Sequence, residues 1–290
     1  VQEKKLTRQK ISFLENPATW DDSRAVVMGI PLDSTSSYRA GSRFAPEEIR
    51  TVFEVLEDYS LQLKANLAES YVYDLGDMLI KGDGVWQNLN RAEKLIASIV
   101  NQNKIPVLIG GDHSITYAPV SALLSSGYED LVVLQFDAHL DLRPSYLEEK
   151  YSHASVIYRL LERGVKEIYQ MGIRSATAQE LDLARAKTNY YPHRVFAPLK
   201  KILADIEQKP VYITLDIDVV DPGFAPGTGT PEPGGMSSAS LYRVFNYIKN
   251  LNIVGFDLVE VNPAYDHSQV TSILAAKIIR EALIILGSKC

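Results

Sequence analysis

Seven apolar runs recur along the chain, at 24–30 (RAVVMGI), 71–75 (YVYDL), 105–110 (IPVLIG), 131–136 (LVVLQF), 167–173 (EIYQMGI), 210–215 (PVYITL) and 252–258 (NIVGFDL). They are short, rich in β-branched residues and scarcely interrupted by polar positions, which is the pattern of strands buried on both faces. Between them the apolar positions change period. Leu89, Ala92, Ile96 and Ile99 fall at helical spacing, as do Leu241, Val244, Phe245, Ile248 and Leu251. Continuous apolar strands separated by amphipathic helices predict an α/β fold with a mostly parallel sheet covered on both sides. No repeat, low-complexity tract or Pro/Ser linker divides the sequence, so residues 1–290 are read as one domain. The conspicuous loop is 221–235 (DPGFAPGTGTPEPGG), whose glycines and prolines forbid regular structure directly after a strand. Ligands of open α/β sheets bind beyond the carboxyl ends of the strands, which directs attention to the polar residues following each apolar run.

Composition narrows the partners. A formal charge of -6 offers no basic excess to neutralise phosphates, so nucleic acid and anionic membrane surfaces are not expected, and a small cationic substrate suits the balance better. The sole cysteine, Cys290, makes no intrachain disulfide and no thiolate zinc site, in keeping with a reducing compartment. The polar opening VQEKKLTRQK precedes no apolar signal core, and no run reaches 18 apolar residues. A cytoplasmic protein is the expectation.

Three strand ends carry candidate chemistry. Asp137, His139 and Asp141 follow 131–136 at i, i+2 and i+4, a spacing that puts alternate side chains on one face of an extended backbone. Asp216 and Asp218 repeat the pattern after 210–215, and His113 follows the paired glycines Gly110 and Gly111. A single Asp at a strand end commonly caps a turn. Four carboxylates and two imidazoles together are another matter, because unpaired buried charges are costly unless a cation neutralises them. Mixed nitrogen and oxygen donors suit Mn²⁺, Fe²⁺, Co²⁺ or Zn²⁺. Six ligands crowd one ion, whereas bridging by Asp137 and Asp216 gives each of two ions a histidine and leaves room for a shared water.

The motifs GGDHSIT (110–116), FDAHLDLR (136–143), SHAS (152–155), LDIDVVDPGFAPGTGTPEPGG (215–235) and DLVEVNPAYDH (257–267) resemble those of the ureohydrolases, the arginase/agmatinase family, and SYRAGSRFAPEEIR (37–50) resembles its N-terminal loop and helix. Ala45 departs from the glycine many relatives carry before the proline. The resemblance implies a three-layer α/β/α sandwich and two Mn²⁺ ions, one on His113, Asp137, Asp141 and Asp216, the other on Asp137, His139, Asp216 and Asp218. It further implies a catalytic proton shuttle at His153, a guanidinium-gripping carboxylate at Glu260, and a homo-oligomer, trimeric or hexameric. His193, His267, Asp74 and Asp77 gain no role from it.

The expected reaction is hydrolysis of agmatine to putrescine and urea by a hydroxide bridging the metals, with Asp141 passing its proton to the leaving amine. Arginases carry an Asn- and Ser-rich segment that receives an α-carboxylate; the segment 142–152, LRPSYLEEKYS, lacks it and contains Glu148 and Glu149. Arginine and guanidinobutyrate are the alternative substrates, the latter if Arg143 binds an acid. A single-zinc deacetylase of the same fold is a further alternative, against which Asp141, Asp218 and His113 argue, and a non-catalytic metal-binding protein is another, against which the presence of every catalytic position argues.

Overall fold

The computed structural model describes residues 7–8, 12–14 and 17–288. Most of the opening segment 1–10 and Cys290 lie outside them. In chain order the strands are β1 (Thr7–Arg8), β2 (Ala25–Ile30), β3 (Tyr59–Ser60), β4 (Ala65–Asn66), β5 (Val72–Met78), β6 (Ile105–Gly110), β7 (Val132–Phe136), β8 (Glu167–Ile173), β9 (Asn189–Pro192), β10 (Val211–Asp216) and β11 (Ile253–Val259). The helices are α1 (Ala45–Phe53), α2 (Val85–Val100), α3 (Tyr117–Ser125), α4 (Val156–Arg163), α5 (Ala178–Lys187), α6 (Phe196–Ile206), α7 (Ser238–Ile248) and α8 (Val270–Gly287). All seven apolar runs are strands, and the two amphipathic patterns fall on helices α2 and α7, the latter ending at Ile248 before Leu251.

Among the described residues β3 and β4 form a small hairpin, and the other strands make one sheet in the order β1-β5-β2-β6-β11-β10-β7-β8-β9. Every neighbouring pair in it is parallel except β1 with β5, at the edge. Successive residues of one strand serve opposite faces: Ala25 and Val27 join one apolar cluster, Val26, Met28 and Ile30 the other. The first cluster is closed by α1, α6, α7 and α8, for example through Ile49, Leu199, Phe245 and Ile279. The second is closed by α2, α3, α4 and α5 through Leu89, Ala118, Leu160 and Ala184. This is the three-layer α/β/α sandwich.

The chain leaves β6 and returns to the sheet at β7, three positions along, and β10 and β11, later in the sequence, fill the two places between. The carboxyl ends of β6, β11, β10 and β7 are thereby adjacent, and the chain direction diverges there, which is where such sheets hold ligands. Asp74 and Asp77 of β5 lie away from this point: both carboxylates pair with the buried guanidinium of Arg50 on α1. No helix among the described residues is long and apolar enough to cross a membrane.

Candidate metal and substrate site

His113 opens a 3-10 helix directly after β6, where Asp112 caps it by accepting from the Ser114 N–H at 3.1 Å. The approach is tight, since a Cβ on Gly111 would stand 2.0 Å from the Leu32 carbonyl oxygen. The imidazole is orientated from below. Thr214 donates to Asp257 Oδ1 at 2.6 Å, so in its 2.9 Å contact with His113 Nε2 it accepts the Nε2 proton. Nδ1 is left facing Asp137, Asp141 and Asp216 at 3.0, 3.1 and 3.3 Å. It is buried, and none of these oxygens meets it with hydrogen-bonding geometry.

A second group lies alongside. His139 Nδ1 is 2.9 Å from Asp218 Oδ2 and 3.6 Å from Asp137 Oδ1. Asp218 Oδ2 is also buried and makes no hydrogen bond. Ligand atoms of His113, Asp137 and Asp141 cluster together, as do those of Asp137, His139 and Asp218, so Asp137 belongs to both sets, one oxygen towards each histidine. Asp216 adds to the first set through Oδ2, its Oδ1 accepting the Asp218 N–H at 2.8 Å.

The convergence does not arise as the alternation along an extended backbone predicts. β7 ends at Phe136, before the first ligand, and Asp141 adopts a left-handed conformation at φ 54°. That bend turns Asp141 towards His113 while His139 faces Asp218. The Asp141 carbonyl is anchored by the N–H groups of Ile157 and Tyr158 at 3.1 and 3.2 Å. Asp218 sits in a 3-10 turn, Ile217–Val219, beyond the end of β10.

His153 and Glu260 complete the wall of a cavity of about 220 Å³ above these groups. Glu260 follows β11 with φ 64°; its N–H donates to the Gly111 carbonyl at 2.9 Å, and its Oε1 accepts from the His113 N–H at 2.9 Å. His153 Nδ1 lies 3.2 Å from Thr35 Oγ1, whose own proton goes to Asp112 Oδ2 at 2.8 Å. Thr35 therefore accepts from Nδ1–H, and Nε2 is free to take a proton beside Ser37. Arg143 also lines the cavity, stacked on Tyr146 with its Nε 3.7 Å from Glu180. Glu180, the end of a capping box on α5, is a cavity carboxylate outside the quoted motifs, as are the supporting residues Thr35 and Thr214, while Asp112 and Asp257 lie within motifs that gave them no role. His193 and His267 are exposed and away from the cavity.

The electrostatics of the cluster follow from its buried charge. Burial, reinforced by Asp218 and Asp137, raises the carboxyl pKa of Asp216 well above its ordinary value, and burial with the charge of Asp137 raises that of Asp141. Burial opposes the charging of His113, yet its three carboxylate neighbours outweigh it and push the imidazole pKa well up; Asp218 and Asp137 do the same for His139. Burial also raises Asp137, but the two imidazoles overcome it and hold that carboxyl low. The protein alone thus balances these charges with bound protons. Divalent cations held by these carboxylates and imidazoles would supply the same neutralisation, and hard oxygen plus imidazole donors fit them.

Comparison with known proteins agrees. Residues 23–285 match the Arginase family, and the chain belongs to that family; it is an amidinohydrolase. Among its relatives, the agmatinase of Bacillus anthracis is 40% identical over 94% of this chain and 95% of its own length. The guanidinobutyrase of Pseudomonas aeruginosa is 31% identical over 97% of this chain and 92% of its own. The crystal structure of agmatine ureohydrolase of Thermoplasma volcanium superposes with a TM-score of 0.84 at 35% identity, covering 96% of this chain and 94% of that one.

Proposed function

We propose that this chain hydrolyses agmatine to putrescine and urea with two Mn²⁺ ions, held by His113, Asp137, Asp141 and Asp216 and by Asp137, His139, Asp216 and Asp218. The observation that carries the reading is the pair of ligand sets sharing Asp137, with Glu260 and His153 on the cavity wall above them. When bound, such ions acidify water enough to provide a nucleophile at neutral pH.

The residues account for the rest. Burial, with Asp112 nearby, pushes the Glu260 carboxyl well up, so a carboxylate there is stabilised by an arriving cation. The planar guanidinium matches a carboxylate that receives paired N–H bonds, and being held so places its carbon for attack. Asp141 stands at the edge of the cluster where it can carry a proton to the leaving amine, and His153 Nε2 exchanges that proton with solvent.

The far end of the substrate separates agmatine from its analogues. Besides the proposed metal ligands and Glu260, Glu180 gives the cavity a further carboxylate, and Arg143 is already engaged by Glu180 and by the ring of Tyr146. An ammonium tail suits this wall, and a carboxylate tail must draw Arg143 away. The guanidinobutyrase relative makes 4-guanidinobutyrate the second reading, for which Arg143 is the receiving group. Urea release from agmatine, 4-guanidinobutyrate and arginine at saturating Mn²⁺ decides. Agmatine is expected to lead in kcat/KM by roughly 10³ over arginine, the consequence of stranding a desolvated carboxylate. A lead for guanidinobutyrate assigns Arg143 to the tail, and a lead for arginine overturns both readings.

A further inference from the structure

One rung below the ligands, four polar side chains run in register across four adjacent strands. Asp257 on β11 pairs with Thr214 on β10, Thr214 with Gln135 on β7, and Gln135 with Gln170 on β8. All four have no solvent exposure. Polar residues have no reason to occupy the centre of a buried parallel sheet unless their hydrogen bonds are spent on something specific.

We propose that this row is a positioning layer that fixes the two metal-site residues common to the His113 side, His113 and Asp137, by presenting a hydrogen-bond acceptor to one and a donor to the other. The proposal rests on the metal reading above. Its first arm is Asp257, Thr214 and His113. Asp257 accepts from Thr214, from Thr116 at 2.8 Å and from Tyr212 at 2.5 Å, so it presents only acceptors, and Thr214 must turn its lone pair to His113 Nε2–H. Nδ1 is thereby reserved for the cluster.

The second arm has the opposite polarity. Thr188, just beyond α5, donates to Gln170 Oε1 at 2.7 Å. That fixes the Gln170 amide, whose Nε2 donates to Gln135 Oε1 at 2.7 Å and to the Leu140 carbonyl at 2.9 Å. Gln135 is fixed in turn, and its Nε2 donates to Asp137 Oδ2 at 2.7 Å. Reversing either amide would set two carbonyl-type oxygens against each other, so the direction of the whole arm is determined. Oδ2 is the Asp137 oxygen that faces His113, while Oδ1 is held by the His139 N–H at 2.6 Å. A carboxylate shared between two ligand sets needs both oxygens fixed in this way.

The test is calorimetric titration of chelator-treated protein with Mn²⁺, alongside thermal unfolding of the same metal-free samples. Gln135→Leu with Gln170→Leu removes both amides together, leaving neither stranded, but it takes the donor from the Leu140 carbonyl, so the metal-free chain is expected to stay folded with a Tm a few degrees lower. Mn²⁺ affinity is expected to fall by ~10- to 100-fold, the usual effect of losing an outer hydrogen-bond partner of a ligand. Thr214→Val is expected to weaken Mn²⁺ comparably, and Thr214→Ser, which keeps the hydroxyl, to restore it. Mn²⁺ affinity unchanged in the double variant and in Thr214→Val overturns the layer while leaving the metal reading intact. A wild-type chain that binds no Mn²⁺ overturns both.

Discussion

Glu260 and His153 make different demands on their surroundings, and substitution separates them. Glu260 holds a left-handed φ of 64°, a strain of roughly 1–3 kcal/mol for a residue that is not glycine, secured by its bonds to Gly111 and His113. Glu260→Gln keeps the shape and loses the charge. With a charge-assisted bond contributing about 1.5–3 kcal/mol, kcat/KM is expected to drop by ~10- to 100-fold at unchanged Mn²⁺ content, measured by urea release and elemental analysis. His153 belongs to neither cluster of candidate ligands and is held by Thr35. His153→Ala is expected to retain its metals and lose ~10²- to 10⁴-fold in rate, and metal depletion in that variant would remove the shuttle assignment. The motif reading named both residues because each lies in a recognisable string, but it did not reach Thr35 and gave Asp112, inside GGDHSIT, no role. Those lie 77 residues apart in sequence, and only the fold brings Thr35 between Asp112 and His153.

At the scale of elements, the strands were legible because a parallel sheet buried on both faces writes itself as unbroken apolar runs. The edges were not. β9 (Asn189–Pro192) and the β3–β4 hairpin are short, exposed in part and polar, so nothing in their periodicity marks them. The candidate ligands share a cluster, but not by the alternation their spacing suggests: Asp137, His139 and Asp141 lie beyond the end of β7, and Asp141 joins through a left-handed bend. The supporting layer left a readable trace that went unused, since Gln135, Thr214 and Asp257 interrupt otherwise apolar strands two or three positions before a ligand or Glu260. The junction of β6 with the following 3-10 helix yields a prediction of its own. A Cβ on Gly111 meets backbone atoms of Leu32 at 2.0–2.9 Å, which cannot rotate aside, whereas one on Gly82 meets nothing within 4 Å. Gly111→Ala should lower Tm by roughly 4–10 °C through a forced backbone shift and reduce Mn²⁺ content through displacement of His113. Gly82→Ala should leave both unchanged; equal behaviour of the two variants in thermal unfolding counts against the tight junction.

For the whole molecule, the cluster is a reservoir of protons that a bound metal would have to displace, and stability would inherit that exchange. In the metal-free protein His113 and His139 titrate above the ordinary 6.5, and Asp141, Asp216 and Glu260 above their ordinary values. In every one of these the folded state binds protons more tightly than the unfolded chain. Their contribution to stability is therefore present at the lower pH and lost as pH rises through the elevated folded values. Asp137, which moves the other way, matters only in acid below its ordinary 3.8. The metal-free protein should accordingly show a Tm that falls from about pH 6.5 upward. Mn²⁺ needs the same groups deprotonated, so its affinity rises over that range, and at 100 times Kd it adds about 2.7 kcal/mol. The two unfolding curves, chelator-treated and Mn²⁺-supplemented, should separate progressively between pH 6 and pH 9. A metal-free Tm that climbs with pH, or a Mn²⁺ increment equal at both ends, would show that protons and metal do not compete for this cluster.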